Sequence, residues 1–394
     1  MPGVVRLGIV TATPLDDAPA PSPVLPDLST VDVVDLTRII CDIPSVSGDE
    51  TALADAIEAA LSRYDHLEVL RDGDAVVART HLGRAERVVI AGHIDTVPVQ
   101  GNLPVQVRPG EGSDAGDDVL WGRGTVDMLG GVAVQLHLAA RLTAPTRDVT
   151  WVFYDHEEVA SDLNGLGRIV RTHPDWVRGD VAILCEPTRG DVEGGCNGTL
   201  RLDVTLRGRT AHSARAWMGH NAVHDAWRVL ERLAVHTPAE VEVDGLRYRE
   251  SLNAVAIRGG IAGNMIPDTC VVEINYRFAP SRSVDDAVAY VLDVLAGIEG
   301  LETELTDAAA GARPGLDHPA AQEFLAAVRE VTGAQVMPKY GWTDVARFTE
   351  LGVPAVNFGP GDPLLAHADD ERCPARQIRS VAAALEAWLD GESA

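Results

Sequence analysis

Residues 88–98 read VVIAGHIDTVP. The first five are apolar or small and predict a buried β-strand, and a histidine and an aspartate follow where that strand ends. At the alternating spacing of an extended chain, His93 and Asp95 can share a side, so one could bind a metal ion while the other orients it. A polar loop start is the common alternative for such a pair. The stretch therefore predicts an α/β sheet with a candidate site at a strand end.

Other segments place acidic or imidazole side chains in similar positions. Asp127 lies between glycines at the start of a predicted helix, and on its own it could simply cap that helix. Glu157 and Glu158 directly follow the apolar strand 149–153, where paired glutamates are often only a solvated helix start. Glu186 follows the strand 181–184, and His367 follows a Gly/Pro loop. The segments are WGRGTVDMLGG (121–131), YDHEE (154–158), ILCEPT (183–188) and GPGDPLLAHADDE (359–371).

Taken together, these positions indicate a single site. Ligands of open α/β sheets bind beyond the carboxyl ends of the strands, so side chains that follow several strands can converge there. Imidazole nitrogen and carboxylate oxygen are zinc ligands, and two ions about 3.5–4 Å apart need a bridging carboxylate. The sequence thus predicts a metal site built from five segments, in which one of the paired glutamates binds metal and its neighbour takes a proton. The segments contribute His93 or Asp95, Asp127, Glu157 or Glu158, Glu186, and His367.

Composition narrows the class of protein. The chain has 394 residues, enough for two domains, and 33 basic against 59 acidic residues give a formal net charge of −26. This balance argues against partners with anionic surfaces, both nucleic acid and membranes. Five cysteines without a C-x-x-C pair predict neither a disulfide framework nor a cysteine zinc knuckle and favour a cytoplasmic location. The N-terminal apolar stretch is short and broken by Arg6, which favours neither a signal peptide nor a membrane span.

The order of predicted elements divides the chain. Strands alternate with helices over 29–196 and again over 307–394, which predicts one discontinuous α/β catalytic domain with helices on both faces of its sheet. Residues 197–306 read as strand, helix, two strands and helix, the content of a small inserted α+β domain. Residues 1–28 are rich in proline and alanine and predict a flexible tail.

The combined motifs resemble a known family. GHIDTVP (92–98), GRGTVDMLGG (122–131), DHEE (155–158), EPT (186–188) and the late His367 are similar to the zinc-dependent family that contains acetylornithine deacetylase, aminoacylase, glutamate carboxypeptidase and succinyl-diaminopimelate desuccinylase. The similarity runs from about residue 30 onward. It implies a zinc-peptidase-like catalytic domain with a mixed central sheet, plus an inserted ferredoxin-like dimerisation and lid domain. It also implies two Zn²⁺ per chain, with Co²⁺ or Mn²⁺ as substitutes.

The resemblance further implies a role for each site residue. Asp127 would bridge the two ions, sharing one with His93 and Glu186 and the other with Glu158 and His367. Glu157 would act as general base and then as general acid, and Asp95 would orient His93. The peptide bond after Asp127 would be cis, which is unusual before a residue other than proline.

The inserted domain carries further family segments. GRTAHS (208–213) implies that His212 reaches the active site of the partner subunit in a homodimer, although a surface histidine is the simpler alternative. GNMIP (263–267) and NYRF (275–278) imply that Asn264 and Arg277 hold substrate carboxylates. Their structural alternatives are a turn-forming asparagine and an edge-strand charge.

Within the family, segments such as KYGWTDVARF (339–348) resemble the branch of succinyl-diaminopimelate desuccinylases, in which Thr343 would bind the acyl end. The expected reaction is hydrolysis of N-succinyl-L,L-2,6-diaminopimelate to succinate and L,L-2,6-diaminopimelate. Two departures stand out: Leu129 replaces a frequent lysine, and Cys196-Asn197 replace a frequent basic residue. The second leaves the anchor of the succinyl carboxylate open.

Three other functions stay open at this point. A sister deacylase or dipeptidase of the same family would share every metal residue and differ only in its pocket. A non-catalytic, metal-stabilised binding protein would be expected to lack the base or a ligand, and all of these are present. A purely structural protein would leave the carboxylates unmetallated and repelling one another.

Overall fold

The computed structural model describes residues 23–391, and residues 1–22 of the predicted tail lie outside that range. The rest of that segment is packed, because Leu25 and Leu28 are buried in the main hydrophobic core. The boundary predicted at residue 28 is therefore too late for these residues, since the apolar side chains between the prolines find partners in the core.

Helices begin where the sequence offers caps. Asp32 accepts a hydrogen bond from the backbone N–H of Val34, and Ser283 forms a reciprocal capping box with Asp286. The α-helices are α1 (Val33–Cys41), α2 (Thr51–Leu61), α3 (Leu129–Arg141), α4 (Gly165–Thr172), α5 (Ala222–Asp225), α6 (Trp227–Val235), α7 (Val284–Val294), α8 (Pro319–Thr332), α9 (Val345–Glu350) and α10 (Ala375–Asp390).

The strands are mostly short, and they form four sheets within the described residues. They are β1 (Glu68–Asp72), β2 (Ala75–Arg79), β3 (Arg87–His93), β4 (Gln106–Pro109), β5 (Asp118–Trp121), β6 (Asp148–Tyr154), β7 (Val181–Leu184), β8 (Val192–Gly194), β9 (Gly198–Arg207), β10 (Glu240–Val243), β11 (Leu246–Arg249), β12 (Ser251–Gly259), β13 (Thr269–Phe278), β14 (Leu301–Ala309), β15 (Val336–Pro338), β16 (Ala355–Asn357) and β17 (Arg372–Pro374).

The central sheet has eight strands in the order β1-β2-β6-β3-β7-β16-β8-β15. Its middle strands β6, β3, β7 and β16 are parallel, whereas β2 pairs antiparallel with β6 and β16 pairs antiparallel with β8. The prediction of a mixed central sheet is thus confirmed. Because the four middle strands run in one direction, their carboxyl ends lie at one edge of the sheet.

Both faces of this sheet are covered, as predicted. Along β3, Val88 and Ile90 pack into a core cluster with α1, α3 and α10, while Val89 and Ala91 face a second cluster with α4 and α9. A strand buried on both faces needs apolar residues at every position, which explains the continuous run VVIA.

Helix α3 packs close to the end of β7, just before Glu186. A Cβ atom added to Gly131 would lie 2.3 Å from the carbonyl oxygen of Cys185, so any larger residue would push the helix away from β7. Gly131 is therefore required for this close approach, whereas a Cβ atom on Gly130 would lie 2.6 Å from the carbonyl oxygen of Thr125.

A three-stranded sheet in the order β17-β5-β4 lies beside the central one. Strand β17 pairs with β5, and the backbone N–H of Gly122 donates to the carbonyl of Glu371 over 3.0 Å. The pairing brings the loop after β16, which carries His367, against the loop that carries Asp127.

The inserted unit contains a four-stranded antiparallel sheet in the order β12-β13-β9-β14, backed by α6 and α7. Its chain order is strand, helices, two strands, helix and strand, which is the connectivity of a ferredoxin-like unit. The sequence did not predict β14. Most residues of this strand are exposed, and it is held in the sheet by its pairing with β9. The single helix predicted over 222–234 is divided into α5 and α6.

Within the described residues, no helix combines the length and the apolar character needed to cross a membrane.

Candidate metal centre and its cavity

His93 is the last residue of β3, and its imidazole is almost completely buried. Its Nδ1 lies 2.9 Å from the backbone carbonyl of Asp95, so that nitrogen is the donor and Nε2 is left to face the site. Nε2 lies 3.2 Å from Oδ1 of Asp127. The ring is thus fixed in the orientation that a metal ligand requires.

Asp127 lies between two histidines. Its Oδ1 contacts His93, and its Oδ2 lies 3.3 Å from Nε2 of His367. The Asp127–Met128 peptide bond is cis, as the resemblance implied. Each oxygen of this carboxylate therefore faces a different imidazole, which is the arrangement of a bridging ligand.

Glu157 and Glu158 follow β6 in a loop that Asp95 holds in place. The two oxygens of Asp95 accept hydrogen bonds from the backbone N–H of Glu157 over 2.9 Å and of Glu158 over 3.1 Å. Ser47 adds a third donor at 2.7 Å. Asp95 therefore positions the glutamate loop as well as lying next to His93, a role that the sequence did not suggest.

The remaining two members come from the neighbouring loops. Glu186 follows β7, and its Oε1 is buried without a hydrogen-bond partner among the described residues. His367 has a positive φ of 64°, a left-handed conformation that few residues other than glycine adopt. This conformation brings its Nε2 to 3.0 Å from the Glu158 carboxylate.

The geometry defines two main sets of possible ligands. The donor atoms of His93, Asp127 and Glu186 lie within 4.8 Å of one another, and so do those of Asp127, Glu158 and His367. Both sets contain Asp127 and match the predicted ones. A third set joins His93 to Glu157 and Glu158. The structure therefore brings together all five predicted ligands and Glu157.

The carboxylates are crowded enough to change their protonation. Burial raises the pKa of Glu157 well above its ordinary value, and the charges of Glu186 and Asp344 add to the rise. Burial, followed by the charge of Asp127, raises the pKa of Glu186 to about 7. Burial would also raise the pKa of Asp127, but hydrogen bonds from His367 and His93 hold it below its ordinary value. Four carboxylates share this space with two imidazoles and the charge of Lys339, so the cluster is rich in negative charge and favours the binding of cations.

The side chains fit divalent cations on two grounds. The donors are nitrogen and oxygen atoms, which suit zinc and tolerate cobalt or manganese. The buried Oε1 of Glu186 has no hydrogen-bond partner among the described residues. A ligand atom of Glu186 lies within 4.8 Å of those of His93 and Asp127, so a cation bound there could contact the carboxylate.

A cavity of about 1380 Å³ opens over the cluster and extends to the sheet of the inserted unit. Its walls include the predicted substrate residues Arg277 and Thr343. Thr343 is buried, and its hydroxyl donates to Oδ1 of Asn357 over 3.2 Å. Trp342 and Lys339 also line the space.

Two predicted residues do not line this cavity. His212 and Asn264 lie side by side on the exposed end of the inserted unit, where the backbone N–H of Ser213 donates to the carbonyl of Asn264 over 2.8 Å. The single chain therefore keeps both away from the metal cluster.

Sequence reasoning missed Glu371, which holds the loop of Asp127. The carboxylate is buried, and its Oε1 accepts hydrogen bonds from the backbone N–H of Val126 over 2.9 Å and of Asp127 over 3.1 Å. Its Oε2 lies 2.7 Å from the guanidinium of Arg123, which is also buried. The available signal was the acidic run after His367, in which nothing distinguishes Glu371 from the two aspartates before it.

Comparison with known proteins gives a consistent picture. A family model described as peptidase family M20/M25/M40 matches residues 89–390. The chain is 53% identical over 361 residues to a protein of Mycobacterium tuberculosis named putative succinyl-diaminopimelate desuccinylase, covering 91% of this chain and 98% of that one. It is 46% identical over 366 residues to the succinyl-diaminopimelate desuccinylase of Corynebacterium glutamicum, covering 91% of this chain and 96% of that one.

Among solved structures, an M20 family metallo-carboxypeptidase of Sulfolobus solfataricus matches with a TM-score of 0.73 at 16% identity. The match covers 92% of this chain and 99% of that one. At this level of identity the likeness concerns the fold.

The position of Glu371 generates a first prediction. In Glu371→Gln, the amide N–H₂ group would face either the guanidinium of Arg123 or the backbone N–H of Asp127. Both of these are hydrogen-bond donors, so one buried hydrogen bond would be lost. We expect the free energy of unfolding to fall by about 3 kcal/mol, as for other broken buried ion pairs. We also expect affinity for added divalent cations to fall at least about 10-fold. Chemical denaturation and competition with a chelator measure the two effects.

Glu386→Gln is the matched control, because Glu386 forms a partly exposed ion pair with Arg141. Its expected cost is under about 1 kcal/mol with no change in cation affinity. If Glu371→Gln bound cations as tightly as the unmodified protein, the positioning role of Glu371 would be refuted.

Proposed function

The chain belongs to peptidase family M20/M25/M40, a family of metal-dependent hydrolases, and we propose that it hydrolyses N-succinyl-L,L-2,6-diaminopimelate to succinate and L,L-2,6-diaminopimelate. The observation that carries the hydrolase chemistry is the position of Asp127, with one oxygen toward His93 and the other toward His367. The two curated relatives, which the chain covers almost completely, support the choice of substrate.

We propose two zinc ions per chain. His93 and Glu186 would hold the first, Glu158 and His367 the second, and Asp127 both. When bound, the pair would polarise the amide carbonyl and make a water molecule more acidic. Cobalt or manganese would be accepted by the same nitrogen and oxygen donors.

Glu157 is the proposed general base and acid. It lies in the ligand cluster without belonging to either set that contains Asp127, and burial raises its pKa. A carboxyl group with a raised pKa can take a proton from the attacking water and return it to the leaving nitrogen near neutral pH. Asp95 would support this role through its hydrogen bonds to the backbone of Glu157 and Glu158.

Binding of the substrate would use the cavity walls. Thr343 would hydrogen-bond the acyl end, and Arg277 would hold the carboxylate beside the scissile amide, since a guanidinium fork matches a carboxylate.

The two positions that depart from the family pattern have structural roles. Leu129 is a core residue. The side-chain nitrogen of Asn197 already donates to the carbonyls of Arg249 and Tyr340.

We further propose a homodimer in which His212 of the partner subunit, with Asn264, completes the site and stabilises the developing oxyanion. Two observations support it. His212 and Asn264 lie outside the cavity of their own chain. The inserted unit also exposes apolar side chains, including Trp217 at 76%, Ile261 at 86% and, on the edge strand β12, Val255 at 55%. Such a patch is typical of a subunit interface.

The cysteines support a reducing, cytoplasmic setting for this reaction. All five are buried, and none forms a disulfide.

The proposed substrate is tested with a panel of three compounds at equal concentration. N-Succinyl-L,L-diaminopimelate should give a kcat/KM at least about 100-fold above N-acetylornithine and N-acylglutamate, because a site built for several charges rejects compounds that lack them. A clear preference for N-acetylornithine or N-acylglutamate would favour the sister activities of the family instead. Release of free amine is the measurement.

The role of Glu157 gives a second prediction for this reaction. Glu157→Gln keeps the shape of the side chain but removes proton transfer, so kcat should fall about 10²–10⁴-fold. The metal content, measured by mass spectrometry of purified protein, should stay at two per chain. Loss of a metal ion would show that Glu157 is a ligand and not the base.

The shared site gives a third prediction. His212→Ala and Glu157→Gln should each be inactive, whereas chains unfolded and refolded as a mixture should regain about a quarter of wild-type activity, since half of the dimers are hybrids with one intact site. Two inactive variants refolded separately and then mixed are the control. If the mixture stays inactive while hybrids are detected by mass, His212 does not act across the interface.

A further inference from the structure

One wall of the cavity carries two guanidinium groups that form no ion pair with any described residue. Arg201 on β9 and Arg277 on β13 both line the space, and within the described part of the chain neither forms an ion pair. Arg277 makes one weak side-chain hydrogen bond, from Nε to Asn275 over 3.3 Å. Burial, and then the positive charge of Arg201, lower the pKa of Arg277, whereas the negative charge of Asp307 acts in the opposite direction.

A carboxylate that forms no ion pair with any described residue lies directly across from Arg201. Asp307 on β14 is the Cα partner of Arg201 in the β9–β14 ladder, and it lines the same cavity. No ion pair joins the two side chains within the range that the structure describes. Arg258, which also lines the cavity, shows the opposite behaviour, since it contacts both Asp203 at 3.1 Å and Glu273 at 2.8 Å. The sheet therefore pairs one arginine fully and leaves Arg201 and Asp307 available.

The backbone positions of Arg201 and Arg277 are separated by about the length of the proposed substrate. Arg277 pairs with Thr199, two residues before Arg201 on the same face of β9. The Cα atoms of such diagonal neighbours are about 7–8 Å apart. The two carboxyl carbons of diaminopimelate are joined by six carbon–carbon bonds of about 1.5 Å and reach about 7 Å when extended. One carboxylate on Arg277 thus brings the other toward Arg201.

We propose that Arg201 and Asp307 form a subsite for the free amino-acid end of the substrate, with Arg201 binding its carboxylate and Asp307 its ammonium group. This subsite rests on the proposed function and makes it more specific. It would select acylated diamino dicarboxylic acids from among acylated amino acids.

The charges favour this end of the substrate over the succinyl end. The succinyl group ends in a carboxylate alone, and an adjacent Asp307 would repel it. The far end of diaminopimelate carries one positive and one negative group on the same carbon, which complements a guanidinium and a carboxylate on neighbouring strands.

The test uses two variants and three substrates. Nα-Succinyl-L-lysine lacks only the far carboxylate of N-succinyl-L,L-diaminopimelate, and N-succinyl-L-2-aminopimelate lacks only the far ammonium group. Arg201→Met should lower kcat/KM about 10- to 100-fold for the two substrates that carry the far carboxylate and leave succinyl-lysine unchanged. Asp307→Asn should show the complementary pattern, with losses on the two substrates that carry the ammonium group and none on succinyl-aminopimelate.

Matched controls exclude a general effect of charge. Arg207→Met removes a cation from the same strand, where Arg207 is exposed and paired with Glu302. Glu304→Gln removes an exposed anion from the strand of Asp307. Both should leave kcat/KM unchanged for all three substrates. Calorimetry with the product L,L-diaminopimelate gives a second readout, in which Arg201→Met should weaken binding while binding of L-lysine stays the same.

The outcomes separate the subsite from the reaction. Equal losses on all three substrates would place Arg201 at the acyl end and overturn the subsite, as would the absence of any loss. A wild-type enzyme that does not hydrolyse N-succinyl-L,L-diaminopimelate would overturn the proposed function together with the subsite.

Discussion

Repulsion among carboxylates at the end of the central sheet is the constraint on which the site depends. Asp127, Glu157, Glu158 and Glu186 converge where β6, β3 and β7 end, in surroundings that exclude most water. Two imidazoles and the ammonium group of Lys339 neutralise this charge only in part. The crowding favours the binding of cations, and it would also prepare the proposed base Glu157 to accept a proton. Ligand binding and the proposed proton transfer would then have one physical origin.

Two buried carboxylates outside the ligand sets hold this arrangement in place. Asp95 accepts the backbone N–H groups of Glu157 and Glu158, and Glu371 accepts those of Val126 and Asp127. In each case the negative charge is offset by backbone donors, which cost no additional side-chain ordering. The loops that carry the ligands are thus ordered by contacts within the protein, so that metal binding need not supply all of that order.

Much of this could be predicted from the sequence, and the remainder could not for identifiable reasons. The apolar runs before His93, Glu157 and Glu186 were sufficient to predict strands and a site at their ends. Their adjacency in the sheet was not predictable from periodicity, because strand order depends on contacts between distant segments. Asp95 and Glu371 act through backbone N–H groups, which leave no pattern of side-chain spacing. Strand β14, which carries Asp307, was missed because an exposed edge strand lacks the alternation that marks its neighbours.

The catalytic domain and the inserted unit present side chains of different charge to the cavity. The catalytic domain concentrates carboxylates for the cations, so its strand ends are poorly suited to hold an anionic substrate. The sheet of the inserted unit faces the same cavity with two guanidinium groups, those of Arg201 and Arg277, which form no ion pair within the described residues. A substrate with several carboxylates is then attracted to one wall and attacked at the other. Because the two walls belong to separate packed units with their own cores, substrate recognition can change on one sheet while the metal cluster stays the same. This arrangement gives a physical reason why one metal site can serve several acylated amino acids across the family.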